Sequence, residues 1–199
     1  MTVAVSIVAM AIALAIGLVV ALLRLSRSKA LNVVASAYVE VIRGTPLLVQ
    51  LFIIYYGLPQ YGIRLSAFAA GVLGLGMNYG AYIAEVYRAG ILSVDRGQWE
   101  AGGSVGLSRV DLMRYIILPQ AIRVVLPPIG NYFISMLKDS ALVSTISVVE
   151  LLRAAQLRVA ITFRAMDIYL IVAIIYFVLS YPCSILIRYL ESRFGRGHV

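Results

Sequence analysis

Histidine, cysteine and acidic residues are scarce in this chain. Its 199 residues include one histidine, His198, one cysteine, Cys183, and nine Asp and Glu residues in total. A single cysteine cannot form a disulfide framework, and one histidine and one cysteine cannot supply the ligands of a structural or catalytic metal site. The sequence therefore predicts no metal centre and no metal-dependent membrane enzyme, and we interpret His198 as a residue of the C-terminal tail.

Charge is also low for a water-soluble protein. Charged residues make up 13% of the chain and hydrophobic residues 62%, whereas soluble domains have about 25% charged and 45–50% apolar residues. The mean hydropathy is +0.94, which indicates an integral membrane protein. Because a span takes roughly 20 apolar residues, we expect one membrane domain over residues 1–199. The sequence contains no G-x-x-x-x-G-K-[ST] phosphate loop, so we expect no ATP hydrolysis by the chain itself.

The charge that is present is mostly positive. The chain has 17 Lys and Arg residues against nine acidic residues, a formal net charge of +8. In a soluble protein this balance would favour nucleic-acid binding. In a membrane protein the cytoplasmic loops collect Lys and Arg, so we predict a membrane protein in contact with lipid and no nucleic-acid partner.

The apolar runs predict an all-α, polytopic membrane protein with five transmembrane helices. A further, moderately apolar helix over 30–43 is interrupted by Gly44-Thr45-Pro46, because proline disfavours the helical conformation of its predecessor. Gly76, Gly80 and Ala84 recur at every fourth residue, which favours close approach of a neighbouring helix. The predicted spans are Val3–Leu23, Leu47–Leu58, Ala67–Leu92, Ile122–Leu137 and Ile168–Leu190.

The basic residues predict the topology. Arg24, Arg27 and Lys29 directly follow the first span, which places the N-terminus outside the membrane and the loop after the span in the cytoplasm. Loop 93–118 and the C-terminus are then cytoplasmic, and loops 59–66 and 139–166 lie outside. Three arginines, Arg153, Arg158 and Arg164, disagree with this bias.

The long cytoplasmic loop carries a spaced motif. It reads Glu100-Ala101-Gly102, three residues, Gly106, nine residues, then Ile116-Ile117-Leu118-Pro119. This resembles the E-A-A-x3-G-x9-I-x-L-P loop of ABC importer membrane subunits, with glycine at 102 where the family usually has alanine. Other stretches are similar to the polar amino acid branch of that family: R-G-T-P-L-L-V-Q at 43–50, Y-G-A-Y-I-A-E at 79–85 and K-D-S-A-L at 138–142.

The resemblance implies a type I ABC importer permease (MetI-like) fold and the function of a transmembrane translocation subunit. It also implies partners: two ABC ATPase subunits that bind the ATP, a second copy or a sibling permease, and an extracytoplasmic amino acid-binding protein. The implied location is the bacterial plasma (inner) membrane, and the implied substrate is a polar amino acid moved by alternating access.

The same loop has a physical interpretation of its own. Gly106 permits a backbone turn that other residues resist, so we predict two short helices joined at Gly106 into a rigid knob. Pro119 is predicted to stop the second helix from running straight into the fourth span. The residues expected to couple to the ATPases are Trp99, Glu100, Ala101, Gly102, Gly106 and Leu107.

Polar residues within or beside the spans are the substrate-site candidates, because such residues usually face a cavity or a partner. Each of them has the alternative role of joining helices or of pairing at the outer interface. We expect Lys138 or Arg153 to hold Asp139, which leaves Glu150 as the freer anion and favours basic amino acids as cargo. The candidates are Asn78, Tyr79, Asn131, Asp139, Ser144, Thr145 and Glu150.

A second functional class remains open from the residues alone. A secondary transporter or channel subunit driven by an ion gradient would also be rich in spans, but it would favour inverted repeats with broken helices in both halves. The sequence shows no internal repeat. Co-purification with an ATPase would distinguish the two classes.

Overall fold

A computed structural model describes residues 1–194, and within that range the chain is helical and contains no strand. His198 and Arg196 lie outside the described residues. The helices are α1 Thr2–Arg24, α2 Lys29–Gly44, α3 Leu47–Phe52, α4 Ala67–Leu92, α5 Arg96–Ser104, α6 Arg109–Leu112, α7 Leu118–Asp139, α8 Leu151–Thr162 and α9 Ala165–Phe194. π-helical turns cover Ile53–Gly57 and Met113–Ile117, and 3₁₀ turns cover Leu58–Tyr61 and Ser140–Ile146.

The centre of the fold is the contact between α1 and α4. A Cβ atom on Gly76 would lie 2.6 Å from Cγ2 of Ile12, and one on Gly80 would lie 2.8 Å from Cγ2 of Ile16. Ala84, the next residue in this series, is fully buried. The four-residue spacing therefore has the predicted effect, since the missing side chains let the α1 backbone pack directly on α4.

The second predicted span is half of a broken one. α2 and the segment Leu47–Tyr61 meet at 105° across the predicted break, where Thr45 is extended with φ −118° and ψ 143°. The prediction of Leu47–Leu58 as a span of its own was wrong, because a helix rises only about 1.5 Å per residue and the hydrocarbon core is about 30 Å thick. Taken together, the two arms of the bent pair are long and apolar enough to form one span.

The prediction that Pro119 separates the loop from the fourth span was also wrong. Helical structure continues from Arg109 to Ile146, and the turn just before the proline is π-helical, over Met113–Ile117. A proline ring normally clashes with the carbonyl four residues earlier, and the wider π turn accommodates the ring without ending the helix. The loop is therefore joined to α7 by continuous helix.

Four single helical stretches and the bent pair account for the spans. The stretches Thr2–Arg24, Ala67–Leu92, Arg109–Ile146 and Ala165–Tyr189 are long and apolar enough to cross a membrane, and there are up to five spans if the bent pair forms one. This agrees in outline with the five predicted spans. The end of the bundle that carries α5 and α6 is called the loop end below, and the end that carries α8 is called the far end.

Candidate functional site

A cavity of about 540 Å³ opens beside the break between α2 and α3. Its volume lies within the range of about 300–1,000 Å³ that is typical of small-molecule sites. Arg43 and Asp139 are the charged residues among those that line it. The lining residues are Arg43, Gly44, Thr45, Pro46, Leu47, Asn78, Tyr79, Tyr82, Tyr132, Ser135 and Asp139.

Asp139 enters the cavity from the last residue of α7. The hydroxyl of Tyr79 on α4 donates a 2.7 Å hydrogen bond to Oδ2 of Asp139. The expected pairing of Asp139 with Lys138 or Arg153 was wrong, since neither forms an ion pair within residues 1–194. A neutral hydroxyl leaves the charge of the carboxylate uncompensated, so that Asp139 can pair with a cationic group in the cavity.

Arg43 enters from the end of α2, at the other side of the break. Its guanidinium carbon lies 5.2 Å from the ring centroid of Tyr82, a distance that allows a cation–π interaction. Tyr82 is one of three tyrosines in mutual ring contact, since it packs on Tyr132 at 5.7 Å and Tyr79 packs on Tyr132 at 6.1 Å. The cavity therefore has an aromatic wall, with a cation and an anion contributed by different helices.

Asn78 is the third predicted substrate residue that lines the cavity. It is buried, and its Nδ2 donates a 3.1 Å hydrogen bond to Oε1 of Gln50 on α3. Asn78 therefore also ties α4 to the broken span, which was the stated alternative for such polar residues.

Glu150 does not line this cavity. It is 2% exposed and precedes α8, where its two oxygens accept hydrogen bonds from the backbone nitrogens of Arg153 (2.7 Å) and Leu152 (2.9 Å). The hydroxyl of Tyr176 donates a third, at 2.8 Å. The expectation of a free anion thus fails, because the two backbone donors use the carboxylate as the N-cap of α8 and Tyr176 adds a third donor.

The remaining three substrate candidates also lie elsewhere. Nδ2 of Asn131 is 3.4 Å from Oε1 of Glu191 on α9, which joins two helices. Ser144 is buried in the 3₁₀ turn after α7, and Thr145 is exposed there, where its hydroxyl donates to the carbonyl of Leu142. Of the seven candidates, the structure therefore brings Asn78, Tyr79 and Asp139 together around the cavity.

Sequence reasoning missed the other eight lining residues, among them Arg43, Tyr82, Tyr132 and Ser135. Arg43 stands directly before Gly44-Thr45-Pro46, so the break itself was a usable signal that this side chain lies at the end of a helix. The two tyrosines and Ser135 carry no such signal, because their proximity depends on how α4 packs against α7.

The loop end contains the two predicted short helices. α5 ends in a glycine turn in which Gly106 has φ +79°, and the nitrogens of Gly106 and Leu107 donate to the carbonyls of Gly103 and Gly102 at 3.1 Å each. This is the Schellman arrangement, which favours glycine. Ser108 then caps α6 by accepting from the nitrogen of Asp111. The prediction of two helices joined at Gly106 is confirmed.

Gly102, where the family pattern usually has alanine, is a packing residue. It is buried, and a Cβ atom there would lie 2.4 Å from Cδ1 of Leu112 on α6. Trp99 and Leu112 belong to the apolar cluster that joins this loop to Leu25 and Ile91 at the ends of α1 and α4. The glycine thus lets the two short helices pack closely, so the knob is held against the spans.

Glu100, Ala101 and Leu107 are exposed on this knob. Glu100 forms no ion pair with any residue that the structure describes. The proposed contact of these residues with a partner stays a prediction.

Comparison with known families and structures agrees with this architecture. Residues 13–196 match the family described as binding-protein-dependent transport system inner membrane component. The chain is similar to the crystal structure of an amino acid ABC transporter with histidines, with 48% identity, a TM-score of 0.92 and coverage of 97% of this chain and 90% of that one. It also shares the fold of the MetNI methionine ABC transporter, at 20% identity and a TM-score of 0.75, over 95% of this chain and 92% of that one.

The chain is also similar to named amino acid transport permeases. The chain is 42% identical over 193 residues to the probable glutamine ABC transporter permease protein GlnM of Bacillus subtilis, covering 97% of this chain and 89% of that protein. It is 44% identical over 185 residues to the L-cystine transport system permease protein TcyB of the same organism, covering 91% and 78%. The glutamine transport system permease protein GlnP of Escherichia coli is 42% identical over 195 residues, covering 97% and 89%.

These matches decide between the two classes that the residues left open. They favour the ABC permease over a secondary transporter or channel, and they agree with the fold and with the loop motif. The chain therefore belongs to the binding-protein-dependent transport system inner membrane component family, as a multi-pass amino acid ABC transporter permease subunit.

Proposed function

We propose that this chain forms the substrate pathway of an ATP-driven importer for polar amino acids. The proposed assembly contains a second copy or a sibling permease, two ATPase subunits and an extracytoplasmic amino acid-binding protein. In this assembly the chain is not an enzyme: the ATPase subunits bind and hydrolyse ATP, and the chain needs no cofactor of its own.

One observation carries the proposal, namely the opposite charges of Arg43 and Asp139 in a single cavity between spans. An amino acid brings a carboxylate and an ammonium out of water, and each charge needs a partner in the pocket. Arg43 offers planar N–H donors that suit a carboxylate, and Asp139 accepts from an ammonium. The tyrosine wall then contacts the side chain of the cargo.

The proposed cargo is a neutral polar amino acid. The earlier preference for basic amino acids depended on Glu150, whose oxygens cap α8. Asp139 is the one carboxylate among the cavity residues, and pairing with the α-ammonium leaves no second anion for a basic side chain. Two relatives are named for glutamine and L-cystine, whereas the solved transporter at 48% identity is described with histidines, so this proposal rests on the charges of the cavity.

The α5–α6 knob is proposed as the contact with the ATPases, with the loop end in the cytoplasm and the N-terminus outside. Continuous helix from Arg109 to Ile146 joins the knob to Asp139. Motion of the knob would therefore move one wall of the cavity directly, which favours alternating access driven from the loop end.

Uptake into proteoliposomes that contain the assembled transporter tests the proposal. We expect ATP-dependent accumulation of radiolabelled glutamine that excess unlabelled asparagine reduces and arginine affects less. Replacement of the catalytic residue of the ATPase should abolish accumulation. Uptake that continues without ATP, or that arginine blocks more strongly than glutamine does, would contradict the proposal.

A further inference from the structure

Gln50 compensates for the donor that proline removes from the broken span. In a continuous helix the carbonyl of Ile42 would accept from the nitrogen of residue 46, which is Pro46 and has no N–H. The carboxamide nitrogen of Gln50 lies 2.8 Å from that carbonyl oxygen. Gln50 is 8% exposed, and the hydroxyl of Thr45 is a second, longer donor to this carbonyl, at 3.5 Å.

The same carboxamide makes further contacts that fix its orientation. Its nitrogen also lies 3.2 Å from the carbonyl oxygen and 2.8 Å from the hydroxyl oxygen of Thr45. Because backbone carbonyls can only accept, the nitrogen must point toward α2. The carboxamide oxygen then faces α4, where it accepts from Asn78 at 3.1 Å. One side chain therefore connects α2, α3 and α4.

These contacts lie directly behind the cavity. The segment Arg43–Leu47 forms one wall, Asn78 lies on another, and Gln50 is not a lining residue. Ile42, whose carbonyl Gln50 holds, immediately precedes Arg43. We infer that Gln50 is a positioning residue for the substrate: it holds the Arg43–Leu47 wall against α4 through Ile42, Thr45 and Asn78. This inference rests on the proposed function.

Two variants break the connection in different ways. Gln50→Leu replaces the carboxamide with an apolar side chain of similar size, which removes both the donor and the acceptor. Asn78→Asp retains Gln50, but an ionised aspartate can only accept, so the carboxamide must turn its oxygen toward Ile42. Gln60→Leu is the control, since Gln60 is exposed in the 3₁₀ turn at the far end.

The kinetic expectation is a change in KM. For uptake by the assembled transporter, each of the two variants should raise KM about tenfold with kcat within about twofold of wild type. The double variant should be little worse than either single one, because both changes remove the same connection. An unchanged KM in Gln50→Leu, or multiplied effects in the double variant, would overturn the inference.

A labelling experiment tests the wall without transport. Ser135 lines the cavity from α7, so Ser135→Cys in a Cys183→Ala background reports access to the cavity by a polar maleimide. In the assembled transporter, Gln50→Leu and Asn78→Asp should each raise the labelling rate at least about threefold, and Gln60→Leu should not. An unchanged rate in both variants would also overturn the inference.

Absence of amino acid uptake by the wild type would instead overturn the proposed function. The labelling rates would then decide whether Gln50 holds the Arg43–Leu47 wall in place.

Discussion

The hydroxyl of Tyr79 lies 2.7 Å from Oδ2 of Asp139 and connects α4 to the end of α7. The donor is neutral, so it orients the carboxylate without neutralising it. The other carboxylate oxygen accepts no side-chain hydrogen bond from the part of the chain that the structure describes. Asp139 is thus held in place yet retains capacity for a cationic group, as an ammonium-binding residue requires.

Asp139→Asn should weaken substrate binding strongly. Asparagine keeps the size and can still accept from Tyr79, but it removes the charge. A hydrogen bond to a charged group contributes about 1.5–3 kcal/mol, so we expect KM for uptake to rise about tenfold to hundredfold. Tyr79→Phe, which removes only the orienting donor, should have a smaller effect. The control is Asp167→Asn, which alters an exposed carboxylate paired with Arg164, and equal losses in both asparagine variants would refute the assignment.

Glu150→Gln should lower stability and leave amino acid preference unchanged. The carboxylate accepts from the nitrogens of Leu152 and Arg153, whereas glutamine offers one acceptor oxygen, so part of the cap is lost at a cost of about 1 kcal/mol. Thermal unfolding of the purified transporter should shift downward by a few degrees. Competition of glutamine uptake by lysine and arginine provides the second measurement. A changed order of preference would show that Glu150 contributes to substrate selection. Glu40→Gln, on the exposed surface of α2, serves as the control.

The extent of the first and third spans was predictable from sequence, because the hydropathy of a segment depends on its composition alone. Ala67–Leu92 has the predicted bounds, and Thr2–Arg24 differs from the prediction by one residue at each end. Turn geometry at Gly106 was predictable for a similar reason, since it depends on the local backbone. The π turn before Pro119 was not predictable. Whether the helix ends at the proline or widens to accommodate it depends on how the surrounding helices pack.

The substrate site was only partly predictable, because polar residues of the same type have different roles in the structure. Glu150 and Asp139 are both acidic residues near a helix end, yet one precedes α8 and caps it, whereas the other ends α7 and faces the cavity. Arg43 and Tyr82 are 39 residues apart in sequence and meet because α2 packs against α4. The sequence therefore identified charged and aromatic residues, but it did not show which of them lie close together in the fold.

Membrane topology can be tested with single cysteines at Gln98 and Gln60. Gln98 lies on α5 at the loop end, Gln60 lies at the far end, and both are exposed. In sealed right-side-out vesicles that carry the Cys183→Ser background, a membrane-impermeant maleimide should label residue 60 and should reach residue 98 only after permeabilisation. Labelling of both positions from one side would refute the proposed orientation.

Gly106→Val should uncouple the transporter, because the turn between α5 and α6 requires a left-handed backbone. Gly106 has φ +79°, a conformation that costs a residue with a side chain about 1–2 kcal/mol, and valine is further restricted by its β-branch. Gly103→Val is a matched control: a Cβ atom at either glycine meets no atom within 4 Å, but Gly103 lies in the regular part of α5. The Gly106→Val protein should therefore insert into the membrane normally but lose much of its uptake activity. Its ATPase stimulation by binding protein should also fall, and it should co-purify with less ATPase. The Gly103→Val protein should retain more of each of these properties. Stimulation at the wild-type level in Gly106→Val would show that the knob can couple without this turn.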